Sequence, residues 1–180
     1  PDLTLWIAIV PYAIHLTFLY KVYLQTSIFF RKFAPSKQNI MKTKHVALVL
    51  GSGGARGMAH IGAIEELLDR GYEITSIAGT SMGSMIAGMY AAGRLQEAKD
   101  WFLQVDKQLI LRMMDISLSL NSVVKGDRII NELEKVVPDC QIQDLPIPCS
   151  IVSADLISAD EVVFKTGSLF NAIRASISIP

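Results

Sequence analysis

Two strand-to-helix junctions, each built on glycine, constrain this chain more than any other feature. "HVALVL" (45–50) is a short β-branched apolar run that stops at "GSGGARG" (51–57). It gives way to "MAHIGAIEELLDRG" (58–71), where Ile61, Ile64, Leu67 and Leu68 recur at helical spacing and Gly71 closes the helix. The pattern repeats at "EITSIAG" (73–79), which turns at Thr80-Ser81 into the small-residue helix "MGSMIAGMYAAG" (82–93). A strand followed by a helix twice in succession implies parallel strands joined by crossovers, hence an α/β layer fold with a mostly parallel central sheet. Downstream, "LQEAKDWFLQV", "QLILRMM" and "DRIINELEKVV" (127–137) read as helices. "PCSIVSADL" and "EVVFKTG" read as strands joined near Ser158, and "SLFNAIRASIS" as a closing helix.

Charge narrows the partners. The 180 residues are 51% hydrophobic and 19% charged, with zero formal net charge. The charge is unevenly placed: residues 1–44 hold Lys21, Arg31, Lys32, Lys37, Lys42 and Lys44 against Asp2 alone, a net +5, so the rest carries −5. No basic patch interleaved with aromatics occurs in that remainder, which argues against a nucleic-acid partner. Cys140 and Cys149 have no CxxC spacing and no histidine cluster beside them, so a metal site is not expected and two free thiols are.

Residues 1–40 form an apolar N-terminal segment with three readings. Leu3 to Tyr20 is a run without acid, Lys or Arg, near the lower length limit for crossing a bilayer. Read as an anchor within residues 3–30, it leaves the domain on the cytoplasmic side, because Arg31, Lys32 and Lys37 follow. Pro11 and His15 interrupt that run, and the basic region and cleavage site of a signal peptide are missing. The other readings are a peripheral helix, and sequence upstream of a true start at Met41.

The chemistry resides in the two junctions. Gly79-Thr80-Ser81-Met82-Gly83 fits G-x-S-x-G between a strand and a helix, the context of a nucleophile elbow. The alternative is a tight turn that merely contains serine. The loop 51–57 presents the amides of Gly53, Gly54 and Ala55 at a helix N-terminus, where an oxyanion or phosphate can be held. It lacks the Gly-Lys-Ser/Thr ending of a P-loop, and position 56 is arginine where a dinucleotide fingerprint needs glycine. Arg56 reads either as an anion contact or as solvent-exposed. Both junctions lie at the carboxyl edge of a parallel sheet, where open α/β folds place ligands.

No histidine suits Ser81. His15 lies in the N-terminal run, His45 begins its strand at the wrong end, and His60 reads as packing into a helix interface. A carboxylate is the alternative base. The apolar loop 111–126 reads as a lid or acyl-chain surface, and Met82, Met85 and Met89 as core or acyl-pocket lining. Ser176 and Ser178 have no elbow around them and are not rival nucleophiles.

Across residues 45–180 the blocks "HVALVLGSGGARGMAHIGAIEEL", "IAGTSMGSMIAGMYAAG" and "PCSIVSADLISADEVVFKTGSLFNAIRASISIP" resemble the patatin-like phospholipase domain in order and spacing. The resemblance implies a three-layer fold with helices on both sheet faces and a cofactor-free, metal-free serine–aspartate dyad acyl hydrolase acting on phospholipid or another acyl-ester lipid at a membrane surface. Ser81 is then the nucleophile, the amides of Gly53, Gly54 and Ala55 the oxyanion hole, and Gly79, Gly83, Arg56 and Gly57 the support of elbow and loop. The sequence has Ser52 where many members have glycine. The family's aspartate follows the "ASISIP" block in an Asp-Gly motif, so it is expected beyond Pro180, the domain being incomplete at that end. Asp155 and Asp160 are not candidates for the role. Two rival functions remain open: an acyltransferase on the same elbow, and a catalytically silent, membrane-attached lipid-binding or interaction domain.

Overall fold

The computed structural model describes residues 5–9, 44–51, 57–104, 129–135 and 137–178. They form a five-stranded sheet in the order β1-β2-β3-β4-β5: β1 Leu5–Ile9, β2 Lys44–Leu50, β3 Tyr72–Thr80, β4 Cys149–Ala154 and β5 Glu161–Phe164. The first four strands run parallel and β5 returns antiparallel to β4, a hairpin turning at the expected place near Ser158. Helices α1 (Ala59–Asp69), α2 (Met82–Ala91), α3 (Leu95–Gln104), α4 (within residues 129–134) and α5 (Leu169–Ile177) complete the described architecture. The reading of "QLILRMM" as a helix and of 111–126 as a lid both fall outside the described residues.

Strand β2 has Val46, Ala47 and Leu48 all buried in succession. Neighbouring residues of a strand point to opposite faces, so both faces of β2 are covered, as a parallel strand requires. The β2–β3 register shifts between Val46 and Ala47, which pair with Ile74 and Ser76. Thr75 is the extra residue, and its hydroxyl donates to the Val46 carbonyl at 3.2 Å. This bulge lets Ile74 and Ile77, three positions apart, both enter the core.

Helix α2 is the hub of the core, with residues 82–89 and Ala91 buried. Small residues allow that position. A side chain at Gly88 would come within 2.9 Å of Leu169 Cδ1 and 3.0 Å of Ile173 Cδ1 on α5. Met82, Met85 and Met89 are all buried in the hydrophobic core. Gly71 ends α1 with φ 75°, as its place in the sequence predicts.

Helix α5 is fixed at its start by two acceptors. Ser168 Oγ accepts the Asn171 amide at 3.0 Å, and Asp139 accepts the amides of Phe170 at 3.0 Å and Cys140 at 2.8 Å. Asp139 also accepts the Ser168 hydroxyl at 2.6 Å. These bonds satisfy otherwise orphaned N–H groups and place a carboxylate at the positive end of the helix. Asp139→Ala is therefore expected to cost about 2 kcal/mol in urea denaturation. An unchanged midpoint would remove Asp139 as the anchor of α5.

Of the N-terminal stretch, residues 5–9 are described, and they form a strand. Leu5–Ile9 pairs in parallel with β2, from Leu5 opposite Val46 to Ile9 opposite Leu50. The free edge of β2 offers a row of backbone groups to a β-prone "LWIAI", and pairing satisfies them where an isolated helix turn would not. Among the described residues no helix is long and apolar enough to cross a membrane. Residues 10–43, where the rest of that stretch lies, are outside the described residues.

Candidate active site

Ser81 sits in the turn where β3 ends and α2 begins, with φ 56° and ψ −129°. A side-chain-bearing residue adopts such angles only at a cost of about 1–3 kcal/mol, and only where its surroundings impose them. The surroundings here are close-packed backbone. A Cβ at Gly79 would overlap the Gly83 carbonyl and lie 2.7 Å from Ser84 Cα. A Cβ at Gly83 would overlap the Leu50 carbonyl oxygen and lie 2.7 Å from its carbon. The two glycines of G-x-S-x-G are thus required by contact, one within the turn and one against β2.

Hydrogen bonds hold both backbone groups of Ser81. Its carbonyl accepts the Ser84 hydroxyl at 2.6 Å and the Ser84 amide at 2.9 Å. Its amide donates to Ser176 Oγ on α5 at 2.7 Å, and the Ser176 hydroxyl donates in turn to the Val152 carbonyl at 2.6 Å. Spacing gave no hint of this second contact, since Ser176 lies 95 positions away. Ser84 had a local signal, a serine three residues into a helix that can bond back to the preceding turn.

The glycine loop meets the elbow at both of its ends. Its entry follows Leu50, the residue against which Gly83 packs. Its exit, Gly57, is buried, and a Cβ there would overlap Met82, the residue after Ser81. Gly53, Gly54, Ala55 and Arg56 lie between, outside the described residues, as does Ser52. The described flanks therefore bring the two junctions to one spot on the carboxyl edge of the sheet.

The two described histidines, His60 and His45, sit in different surroundings. His60, fully buried on α1, donates from Nε2 to the Gly51 carbonyl at 3.2 Å and so ties that helix to the start of the glycine loop. His45 lies near the start of β2, at the opposite end of the sheet from Ser81, 3.4 Å from the Glu73 carboxylate. Asp155 holds a turn: it accepts the amides of Ile157 at 2.8 Å and Ser158 at 3.2 Å, and those bonds keep its carboxyl below the usual range. Asp160 closes the same turn by accepting the Asp155 amide at 2.9 Å through its carbonyl. Burial pushes the Cys149 thiol up to about 12, leaving no thiolate at neutral pH, and also raises Cys140. Among the described residues no three His, Cys, Asp or Glu side chains cluster as a metal site would require.

Sheet and turn together define an α/β domain built around a strand–serine–helix elbow. The chain belongs to the patatin-like phospholipase family, whose model matches residues 48–180. An uncharacterized NTE family protein of Mycobacterium tuberculosis is 47% identical over 135 residues, covering 75% of this chain and 38% of that protein. Patatin-like phospholipase domain-containing protein 6 of Homo sapiens is 34% identical over 139 residues, covering 74% of this chain and 10% of that protein. The chain thus spans well under half the length of these curated relatives.

Proposed function

We propose that this domain is a serine acyl hydrolase, of the phospholipase A, lysophospholipase or esterase type, with Ser81 as its nucleophile. The observation that carries the reading is the strained Ser81 backbone, wedged between backbone atoms exactly where both ends of the glycine loop converge. Strain of this kind collects at sites that act on or hold a ligand. A nucleophile uses it, because the turn lifts its hydroxyl clear of the strand and brings it to substrate.

These placements and family membership support the following reaction. Ser81 Oγ gives its proton to an aspartate carboxylate beyond residue 180 and attacks the acyl carbonyl carbon. The ester C–O bond then breaks, the alcohol portion of the lipid leaves with the proton, and the acyl group remains on Oγ. Water, activated by the same carboxylate, releases the fatty acid. The Ser81 amide is engaged by Ser176, so the oxyanion requires other donors. The amides of Gly53, Gly54 and Ala55 are the assigned ones, at about 100-fold in rate for each donor. The last turn of helix α5 is held beside the nucleophile, its Ser176 hydroxyl accepting the Ser81 amide. Gly57, buried against Met82, and Arg56, by its place in the motif, are assigned as support of the glycine loop. The substrate is a lipid ester met at a membrane or micelle surface.

Incubating the full-length protein with a fluorophosphonate and mapping the adduct by mass spectrometry tests the assignment. One phosphonyl group is expected, on the peptide containing Ser81. An adduct on another serine, or none, would overturn it.

A further inference from the structure

We propose that Ser176 is a positioning residue for the nucleophile, its hydroxyl holding the Ser81 peptide in the conformation that reaction requires. This rests on the assignment of Ser81 as the nucleophile.

The geometry leaves the hydroxyl little freedom. A serine hydroxyl has one proton to donate and lone pairs to accept with. The proton of Ser176 is committed to the Val152 carbonyl at 2.6 Å, so a lone pair faces the Ser81 amide at 2.7 Å. The sheet explains why a hydroxyl is needed there. The β3–β4 ladder ends at Thr80 opposite Val152. At Ser81 the chain turns away, and the next amide of β3 and the carbonyl of Val152 are joined through Ser176 Oγ. The hydroxyl stands where one more ladder bond would have been.

The last turn of α5 is itself held. Ser153 Oγ donates to the Ala175 carbonyl at 2.8 Å, one residue before Ser176 and one after Val152. Two successive hydroxyl bridges therefore fix this turn to β4. On the other side of the nucleophile, Ser84 Oγ holds the Ser81 carbonyl at 2.6 Å. Both peptide groups flanking the reacting residue are clamped by serine hydroxyls, one local and one from a distant helix.

Removing the Ser176 hydroxyl frees the Ser81 amide and lets the strained peptide relax, which moves Oγ from its attacking position. Substrate contacts are untouched. The expected signature is a fall in kcat of about 10- to 100-fold at unchanged KM, the scale of one hydrogen bond lost at a reacting group.

The test uses the full-length protein and three variants: Ser176→Ala, Ser176→Thr and Ser176→Val. Threonine and valine match in volume and differ in the hydroxyl, so their comparison stands even where alanine impairs folding. Kinetics on a short-chain ester and the rate of fluorophosphonate capture at Ser81 are measured together. The inference expects threonine to restore both rates and valine to lower both at constant KM. Equal rates for threonine and valine, or wild-type capture in the alanine variant, would overturn it. Absence of capture at Ser81 in the wild-type protein would instead sink the nucleophile assignment on which it rests.

Discussion

Ser81→Ala in the full-length protein is expected to lower ester hydrolysis by roughly 10,000-fold or more, the scale on which loss of a nucleophile is felt. Stability should hardly move. Alanine and serine both carry a Cβ, so the unfavourable φ of 56° is carried equally by either. The bonds that fix the turn use the amide and carbonyl of residue 81, which alanine keeps. The Ser84 hydroxyl and the Ser176 hydroxyl retain their partners. Turnover of a lipid ester should therefore vanish while the urea midpoint stays within about 0.5 kcal/mol of wild type, as for a change at a surface side chain. Residual turnover within tenfold of wild type would place the nucleophile elsewhere.

Gly83→Ala is expected to do the reverse, damaging the fold first and activity as a consequence. The added Cβ would overlap the Leu50 carbonyl, a backbone group fixed inside a paired β2 strand. No rotamer change relieves such a contact, so either β2 or the first turn of α2 must move. The expected loss is about 3 kcal/mol or more, beyond the usual range for an oversized core residue. Gly88→Ala provides the contrast on the same helix. The atoms nearest its new methyl are the ends of the Leu169 and Ile173 side chains, which can shift. Alanine also gains about 1 kcal/mol of helix propensity there, leaving a change near zero. Thermal or urea denaturation of the two variants side by side separates contact from propensity. A Gly83→Ala protein as stable as Gly88→Ala would remove the steric account of the elbow.

The alternating elements were legible because burial leaves periodic marks. β2 reads as an unbroken apolar run since both its faces are covered, and α1 shows its core stripe at Ile61, Ile64 and Leu67. The elbow was legible for a different reason: only glycine fits at positions 79 and 83, so the turn wrote itself into the sequence. Ser176 left no such mark. Its role depends on where α5 lands against β4, a fact of tertiary packing that local spacing does not encode. The pairing of residues 5–9 was hidden for a related reason. An apolar stretch satisfies a bilayer and a sheet edge equally well, and the choice depends on the free edge of β2, more than thirty positions downstream.

The bulge at Thr75 has a consequence for how β3 tolerates changes in length. Side chains along a strand alternate, so inserting or deleting one residue normally inverts everything that follows. At Thr75 the strand already carries one residue more than its partner, and the surplus is absorbed before Ile77. Deleting Thr75 would restore simple alternation and leave Ile77, Gly79 and Ser81 facing as they do now. Deleting a single residue between Ile77 and Ser81 would instead deliver the serine to the wrong side of the sheet. The strand thus has a slack half and a taut half, and sequence length can drift only in the half remote from the serine.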